Sequence, residues 1–370
     1  MDLTFTSEQE ILQDSAVKFA QKGYGFEQYK KSLAAPGQSD PAIWKQIAEF
    51  GWLALPVPES AGGLGGSTLD VALVAEALGA ALVVEPFLTG AFLPAAVIAA
   101  VADPSKHADL LGQLAAGDVQ LAVAYTERTG RFDPAHVHTH GDRVGDGYVL
   151  NGEKLCVFNA PNASHLIVSA HVGKSIELFL VGRETAGVGL NSYPVLGGGV
   201  AADVKLHDVK LGADAHIGDL SALEIGLDKA TAAACAQALG GMKALFERTA
   251  AYLRTRKQFG VPIGTFQALQ HRLVDMFIEI EQSRSMVLLA AAKADGRDAT
   301  ERRRAVSSAK AYVGKASKMV AQQAVQLHGG IGMTEELDVG HYFRQLTAFG
   351  TRFGDRDHHL DRVQALSDAA

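Results

Sequence analysis

The residues with the clearest chemical potential lie in two late segments. The first reads Arg256-Lys257-Gln258-Phe259-Gly260-Val261-Pro262-Ile263-Gly264-Thr265-Phe266-Gln267, the second Gln326-Leu327-His328-Gly329-Gly330-Ile331-Gly332. An arginine clamps a diphosphate through parallel charge-assisted hydrogen bonds. Glycines let a backbone approach a ligand closely. Glutamines can bond an adenine or a ribose. Together these types suit a dinucleotide surface, although Arg254-Thr255-Arg256-Lys257 alone reads as a solvated helix end.

Other candidates carry less. His136, His138 and His140 alternate, so on a strand they share one face and could hold zinc. No cysteine or carboxylate besides Asp133 completes a set, and surface histidines on an edge strand are the simpler reading. Asp357-His358-His359 offers adjacent imidazoles that point apart. No metal site is expected. Gly62-Gly63-Leu64-Gly65-Gly66 lacks the Lys-Ser/Thr of a phosphate loop and follows no strand, so it reads as a tight loop. Cys156 and Cys235 read as core residues, and no Gly-x-Ser-x-Gly nucleophile motif occurs.

Composition narrows the class. The 370 residues are 48% apolar and carry a formal net charge of -7, which excludes long disorder and offers no basic stripe for nucleic acid. Two cysteines build no disulfide framework and fit a reducing cytosol. The apolar run from Ala91 to Ala102 contains Pro94 and falls short of the roughly 20 residues of a spanning helix. Met1-Asp2-Leu3-Thr4 lacks a signal-peptide pattern. The expectation is a cytoplasmic chain without membrane or nucleic-acid partners.

The elements that position these residues change texture twice. Residues 1–118 read as helices, with apolar residues at helical spacing in Glu8–Phe19, after Asp40-Pro41 and in Thr68–Ala81. Residues 119–219 turn to period two. Hairpin signals Asp146-Gly147 and Asn151-Gly152 flank Tyr148-Val149-Leu150, and runs follow at Leu155–Phe158, Leu166–Val168, Ile176–Val181 and Val204–Leu206. Residues 220–370 return to long helices, Phe266–Ala292 and Thr300–His328 among them, the latter stopped by Gly329-Gly330. The expected class is α+β: an N-terminal helical domain, a middle β-barrel or sandwich, and a C-terminal four-helix bundle.

At these residues the chain resembles the acyl-CoA dehydrogenase family. The match rests on Pro58-Glu59-x-x-Gly62-Gly63-x-Gly65, on Arg256-x-x-Phe259-Gly260 with Phe266-Gln267, on Gln326-x-x-Gly329-Gly330-x-Gly332, and on the helical, β, helical order. The resemblance implies FAD shared at a subunit interface, an acyl-CoA thioester substrate, α,β-dehydrogenation and electron-transfer flavoprotein as acceptor. A carboxylate then removes the α proton while a hydride leaves for the flavin. The resemblance also implies that Arg256, Phe259, Gln267, Gln326, Gly329 and Gly330 contact the diphosphate and adenosine of a neighbour's FAD.

The flavin-ring half departs from the family. The family's Thr-Glu-Pro-x-x-Gly-Ser-Asp segment reads Thr126-Glu127-Arg128-Thr129-Gly130-Arg131-Phe132-Asp133, leaving Thr126 as its cofactor contact. Its Trp-Ile-Thr run reads Cys156-Val157-Phe158. Ungapped counting puts Phe353 at the usual base position and Ala230 at the alternative one, and neither takes a proton. Asp355 is a weak substitute, Asp228 a poorer one. The pattern resembles the base-lacking small subunit of bacterial α2β2 acyl-CoA dehydrogenases, which implies a homologous partner carrying the catalytic Glu. The competing readings are a self-sufficient homotetramer with a relocated carboxylate (Asp355, Asp228 or Glu224) and a flavin-free acyl-CoA or protein-binding scaffold.

Overall fold

A computed structural model describes residues 4–34 and 39–368. In chain order its helices are α1 (Ser7–Lys18), α2 (Phe26–Ala34), α3 (Pro41–Glu49), α4 (Thr68–Ala80), α5 (Leu93–Ala99), α6 (Ala108–Ala116), α7 (Leu220–Thr255), α8 (Gln267–Ala294), α9 (Ala299–His328), α10 (Val339–Phe349) and α11 (Arg356–Asp368). Its strands are β1 (Leu121–Ala124), β2 (His140–Val144), β3 (Gly147–Phe158), β4 (His165–Val172), β5 (Ser175–Gly182), β6 (Val188–Pro194), β7 (Val200–Leu211), β8 (His216–Asp219) and the short β9 (Lys257–Gln258) and β10 (Val261–Pro262). The order helical, β, helical is the one expected. No described helix is long and apolar enough to cross a membrane.

Two compact units form. One, wholly helical apart from β9 and β10, comprises Met1–Lys31, Thr68–Val83 and Thr231–Ala370. Local signals start its helices. Thr6 accepts the Gln9 N–H at 3.2 Å while the Gln9 side chain returns to the Thr6 N–H at 3.1 Å, a capping box on α1. Asp298 caps α9 through Thr300 and Glu301. Helix α4 is largely apolar, with Val71, Leu73, Val74 and Leu78 buried, and its acids Asp70 and Glu76 are met by Gln9 and Lys243. It meets α7 backbone to backbone: a Cβ added at Gly79 would overlap the Gln237 carbonyl, and one added at Gly240 would overlap that of Glu76. Alanines do the same work between α7, α8 and α9, where Ala232, Ala290, Ala294, Val306 and Ala309 make one cluster. On α8 the helical spacing of Leu269, Leu273, Met276, Phe277, Ile280 and Leu288 predicts one apolar stripe, and the buried face differs from it. Met276, Ile280 and Val287 are buried, but Phe277 is half exposed beside Val274 and Ile278.

The other unit, Ser32–Ser67 and Val84–Ala230, holds β1 to β8 in one eight-stranded sheet. Its order is β6-β7-β3-β2-β4-β5-β8, and β1 pairs in parallel with β4. Alternate residues of β3, β4, β5 and β7 turn inward, so Leu150, Val157, Leu166, Val168, Phe179, Val181, Val204 and Leu206 share one apolar core. Strand β6 (Val-Gly-Leu-Asn-Ser-Tyr-Pro) carries poor strand formers, and the sequence offers no signal for it. It exists because β7 supplies partners from Val188↔Leu206 to Pro194↔Val200. The glycine loop is tight, as expected: Gly63, Gly65 and Gly66 N–H groups donate to Pro58, Val57 and Leu55 carbonyls.

The α4–α7 crossing leaves no room for a side chain. Gly240→Ala should therefore destabilise the chain by about 1–3 kcal/mol by forcing the helices apart, read as a fall in chemical unfolding midpoint at unchanged slope. Gly314→Ala, where a Cβ meets nothing within 4 Å, is the matched control.

Candidate functional site

The helical unit builds one half of the site at the ends of α7 and α9. Past α7 the chain turns back as β9 and β10, with Phe259 (φ 53°) and Gly260 (φ 83°) at the tip. Two successive positive φ values define the tight hairpin turn that suits paired strands. The turn holds the Phe259 ring 91% exposed, edge-on to Phe266. Arg256 is exposed, its backbone engaged with Tyr252 and Ile263. Gln267 opens α8 and is exposed, as is Gln326 in the last turn of α9.

Tyr252 and His328 bring these two segments together, and sequence reasoning did not single out either. Their rings stack with centroids 4.5 Å apart, and the Tyr252 hydroxyl donates to the His328 carbonyl at 3.4 Å. Tyr252 lies one turn before Arg256 and His328 directly precedes Gly329, so one stack locks the arginine segment to the glycine segment. Burial pushes the His328 imidazole below its ordinary pKa, which keeps the stack neutral.

The glycines differ in purpose. Gly332 is forced by packing, since a Cβ there would sit 2.9 Å from the His328 Cβ. At Gly329 (φ +66°) and Gly330 an added Cβ meets nothing of this chain within 4 Å. Packing within this chain therefore does not require a glycine at 330. The exposed glycines, with Arg256, Gln267 and Gln326 likewise exposed, offer donor types that fit the diphosphate and adenosine end of FAD.

The loop after α10 carries residue 353, which the family resemblance sets at the base position. Phe353 (φ +58°) stands there, half-buried, and its carbonyl accepts the His359 Nε2–H at 3.0 Å. The other ring nitrogen, Nδ1, then accepts from Ser307 Oγ at 3.1 Å. Burial and the nearby Lys310 push His359 down to about 3, so it is the neutral tautomer at any working pH. Lys310 is fully buried. Its ammonium donates to Gly354 O at 2.7 Å and Gly350 O at 3.4 Å and lies 4.4 Å from the Phe349 ring centre. Burial draws its pKa down to about 8. Asp355 is a helix cap: its Oδ1 accepts the His358 N–H at 2.9 Å as α11 begins.

The β unit holds the remaining positions. Ala230 and Asp228 on α7 are both fully buried, and the side chain at 230 is a methyl group. The Thr126 carbonyl accepts the Leu155 N–H at 2.8 Å. Arg131 (φ +50°) stands exposed in a turn, its guanidinium 5.4 Å from the Phe132 ring. Cys156 (φ +51°) sits in a β-bulge where β3 slips against β7. Its N–H donates to Asp203, which also accepts the Tyr193 hydroxyl at 2.7 Å. Cys235 is buried as expected, whereas Cys156 is half-buried and strained. The histidines need a correction. Residues 136–139 lie outside any strand and only His140 enters β2, which runs inside the sheet order rather than at an edge.

Sequence reasoning also passed over Lys154. Its ammonium is fully buried and donates to Glu127 Oε1 at 2.7 Å and Ser169 Oγ at 2.9 Å. Glu127 also accepts from the backbone of His138 and Thr139 and from the Thr139 hydroxyl. Burial pushes the Glu127 carboxyl up, but Lys154 and these hydrogen bonds outweigh it, and the net direction is down. Burial pushes Lys154 down to about 8 against the pull of Glu127.

Comparison with known proteins agrees with this geometry. Three family models match: acyl-CoA dehydrogenase N-terminal domain over residues 6–118, middle domain over 122–207 and C-terminal domain over 221–366. The chain is 31% identical over 360 residues to probable acyl-CoA dehydrogenase YngJ of Bacillus subtilis, covering 93% of each. It matches a chain of the ChsE4–ChsE5 complex from Mycobacterium tuberculosis at TM-score 0.93, with 26% identity and full coverage of both. It matches a structure of the Tcur3481–Tcur3483 steroid ACAD at TM-score 0.89, with 29% identity and 98% coverage of each. The chain belongs to the acyl-CoA dehydrogenase family of flavoprotein oxidoreductases.

Removing one member of the Lys154–Glu127 pair strands a buried charge. Lys154→Met should cost about 3–5 kcal/mol, and Lys154→Met with Glu127→Leu should recover part of that loss. Glu127 holds its proton more weakly folded than unfolded. Its contribution is therefore complete above its ordinary value of 4.5 and disappears as pH falls through the lower folded value. Unfolding free energy measured against pH should drop on the acid side, with a shallower slope in Glu127→Gln.

Proposed function

We propose that this chain is the base-lacking partner subunit of a heteromeric acyl-CoA dehydrogenase. A homologous chain supplies the catalytic carboxylate and the flavin-ring pocket, and this chain supplies the diphosphate and adenosine side through Arg256, Phe259, Gln267, Gln326, Gly329 and Gly330. One observation carries the reading: both base positions hold apolar groups, Phe353 and Ala230, while the opposite half presents an open glycine surface. The relocated-base alternative is disfavoured because Asp355 is committed to capping α11. Thr126 keeps its place as a cofactor contact, without the Trp and Thr that cover a flavin ring elsewhere in the family.

Two of the solved structures that the chain resembles support a paired assembly, since each is named as two gene products together. In functional terms the chain divides at residues 1–118, 119–219 and 220–370, with the last part holding the FAD-contacting and oligomer surface. FAD when bound accepts the hydride. This chain's role is to hold the cofactor's far end, with an acyl-CoA thioester as substrate, electron-transfer flavoprotein as acceptor and the cytoplasm as location.

Flavin content and native mass test the assembly. The chain expressed alone should be colourless. Co-expressed with a base-bearing homologue encoded beside it, it should give a yellow α2β2 complex with one FAD per pair of chains. A yellow homotetramer with one FAD per chain would sink the proposal. Within the complex, Arg256→Ala should lower retained FAD, measured by absorbance after gel filtration.

Asp355→Asn tests the base directly. It should leave turnover of the complex unchanged within error, since its cost falls on the α11 cap, about 1 kcal/mol of stability or less. A fall of about 10²–10⁴-fold would instead mark Asp355 as the proton acceptor.

A further inference from the structure

The segment between β1 and β2 presents a feature that acyl-CoA chemistry does not use. His136 and His138 flank Val137, which is buried, so both imidazoles stand on the outer surface. Their Nε2 atoms are 3.1 Å apart, with ring planes crossed at 78°. The Thr129 hydroxyl lies 3.1 Å from the His136 Nε2. The Thr129 oxygen and the two imidazole nitrogens thus follow one another, each 3.1 Å from the next. A neutral imidazole nitrogen either donates or accepts, so a single Nε2 proton shared by the pair is all that the protein itself can place between the rings.

The backbone beneath is rigid. The His138 N–H donates to Glu127 Oε2 at 2.6 Å and the Thr139 N–H to Glu127 Oε1 at 3.0 Å. Lys154 fixes that carboxylate from below. On the other side, the His136 N–H donates to the Asp133 carbonyl at 3.2 Å and the Ala135 N–H to Asp133 Oδ1 at 2.9 Å. Gly130 packs so closely that a Cβ there would meet the His136 carbonyl at 2.7 Å and its ring at 3.2 Å. The two imidazoles are therefore positioned before any ligand arrives.

We propose that His136 and His138 chelate a late first-row divalent cation, with Thr129 beside them. Imidazole nitrogens bind such ions at about 2.0–2.1 Å, so two of them at right-angled to tetrahedral positions lie roughly 2.9–3.4 Å apart. The observed separation falls in that range. Among the described residues no group of three or more His, Cys, Asp or Glu converges on a metal. The remaining coordination positions belong to water, and the ion is exchangeable. Imidazole donors with open positions favour copper(II), then nickel(II) and zinc(II). His140, paired within the sheet to Asn151 and His171, is outside the chelate. This inference does not depend on the partner-subunit reading.

The test uses the untagged full chain, titrated by calorimetry with Cu²⁺, Ni²⁺ and Zn²⁺ separately. One ion per chain should bind, tightest for copper. His136→Asn and His138→Asn should each weaken binding by about a hundredfold, because a lone donor loses the advantage of linkage, while His140→Asn should bind as the parent does. Far-UV circular dichroism checks that each variant is folded. Nickel should also raise the Tm of the parent and leave that of the double variant unmoved. Binding that survives in the folded double variant, or parent protein that binds no ion, would overturn the proposal.

Discussion

The buried Lys154–Glu127 pair is the constraint on which the β unit depends. An ammonium and a carboxylate taken out of water are tolerated when further hydrogen bonds offset their desolvation. Here Ser169 on β4 takes a second Lys154 proton, and two backbone N–H groups with one hydroxyl fill Glu127. The pair therefore joins β3, β4 and the irregular segment 126–139 at one point. That segment carries Thr126, the bulky Arg131 and the His136–His138 pair, so their positions follow from one electrostatic knot.

The helical unit is ordered by close approach instead. Glycine and alanine let α4, α7, α8 and α9 pack backbone against backbone, which leaves few rotamers to choose and a rigid frame. Aromatic stacking and a buried cation finish it at the functional end. Tyr252 on His328 fixes the arginine and glycine segments to each other, and Lys310 holds the carbonyls that close α10 and the loop beyond it. A positive charge at a helix C-terminus is favourable even where desolvation opposes it. The loop at 353 is thus tied down through Lys310 and His359, and it presents a phenylalanine.

That contrast explains the proposed division of labour. A chain losing function at random has no reason to keep an exposed phenylalanine on a two-residue turn or a glycine that packing does not require. Both lie on the face proposed to meet a neighbour's cofactor. The positions that the resemblance assigns to the proton step hold apolar groups, Phe353 and Ala230, and nearby Asp355 is a helix cap. Exposed Phe277, Val274 and Ile278 on α8 add apolar surface to the same unit, in keeping with a chain that works in an assembly.

Much of this was legible in the residues themselves. Periodicity separated helical from β texture because helices and strands repeat at different intervals. Glycine spacing identified the loops, because only glycine takes those backbone angles without strain. Motif spacing pointed to the family, and substitution at 230 and 353 pointed to a missing base, since a side chain's ability to take a proton is a property of its type. Contacts between residues distant in sequence were not legible. Strand β6, the Tyr252–His328 stack, the burial of Lys154 and Lys310, the capping role of Asp355 and the meeting of the His136 and His138 nitrogens off any strand all depend on what the folded chain places opposite each residue. Residue type and spacing determined the family and which side chains stand at each motif position. Tertiary structure alone decided where those groups meet, because burial and hydrogen-bond partners come from the whole fold.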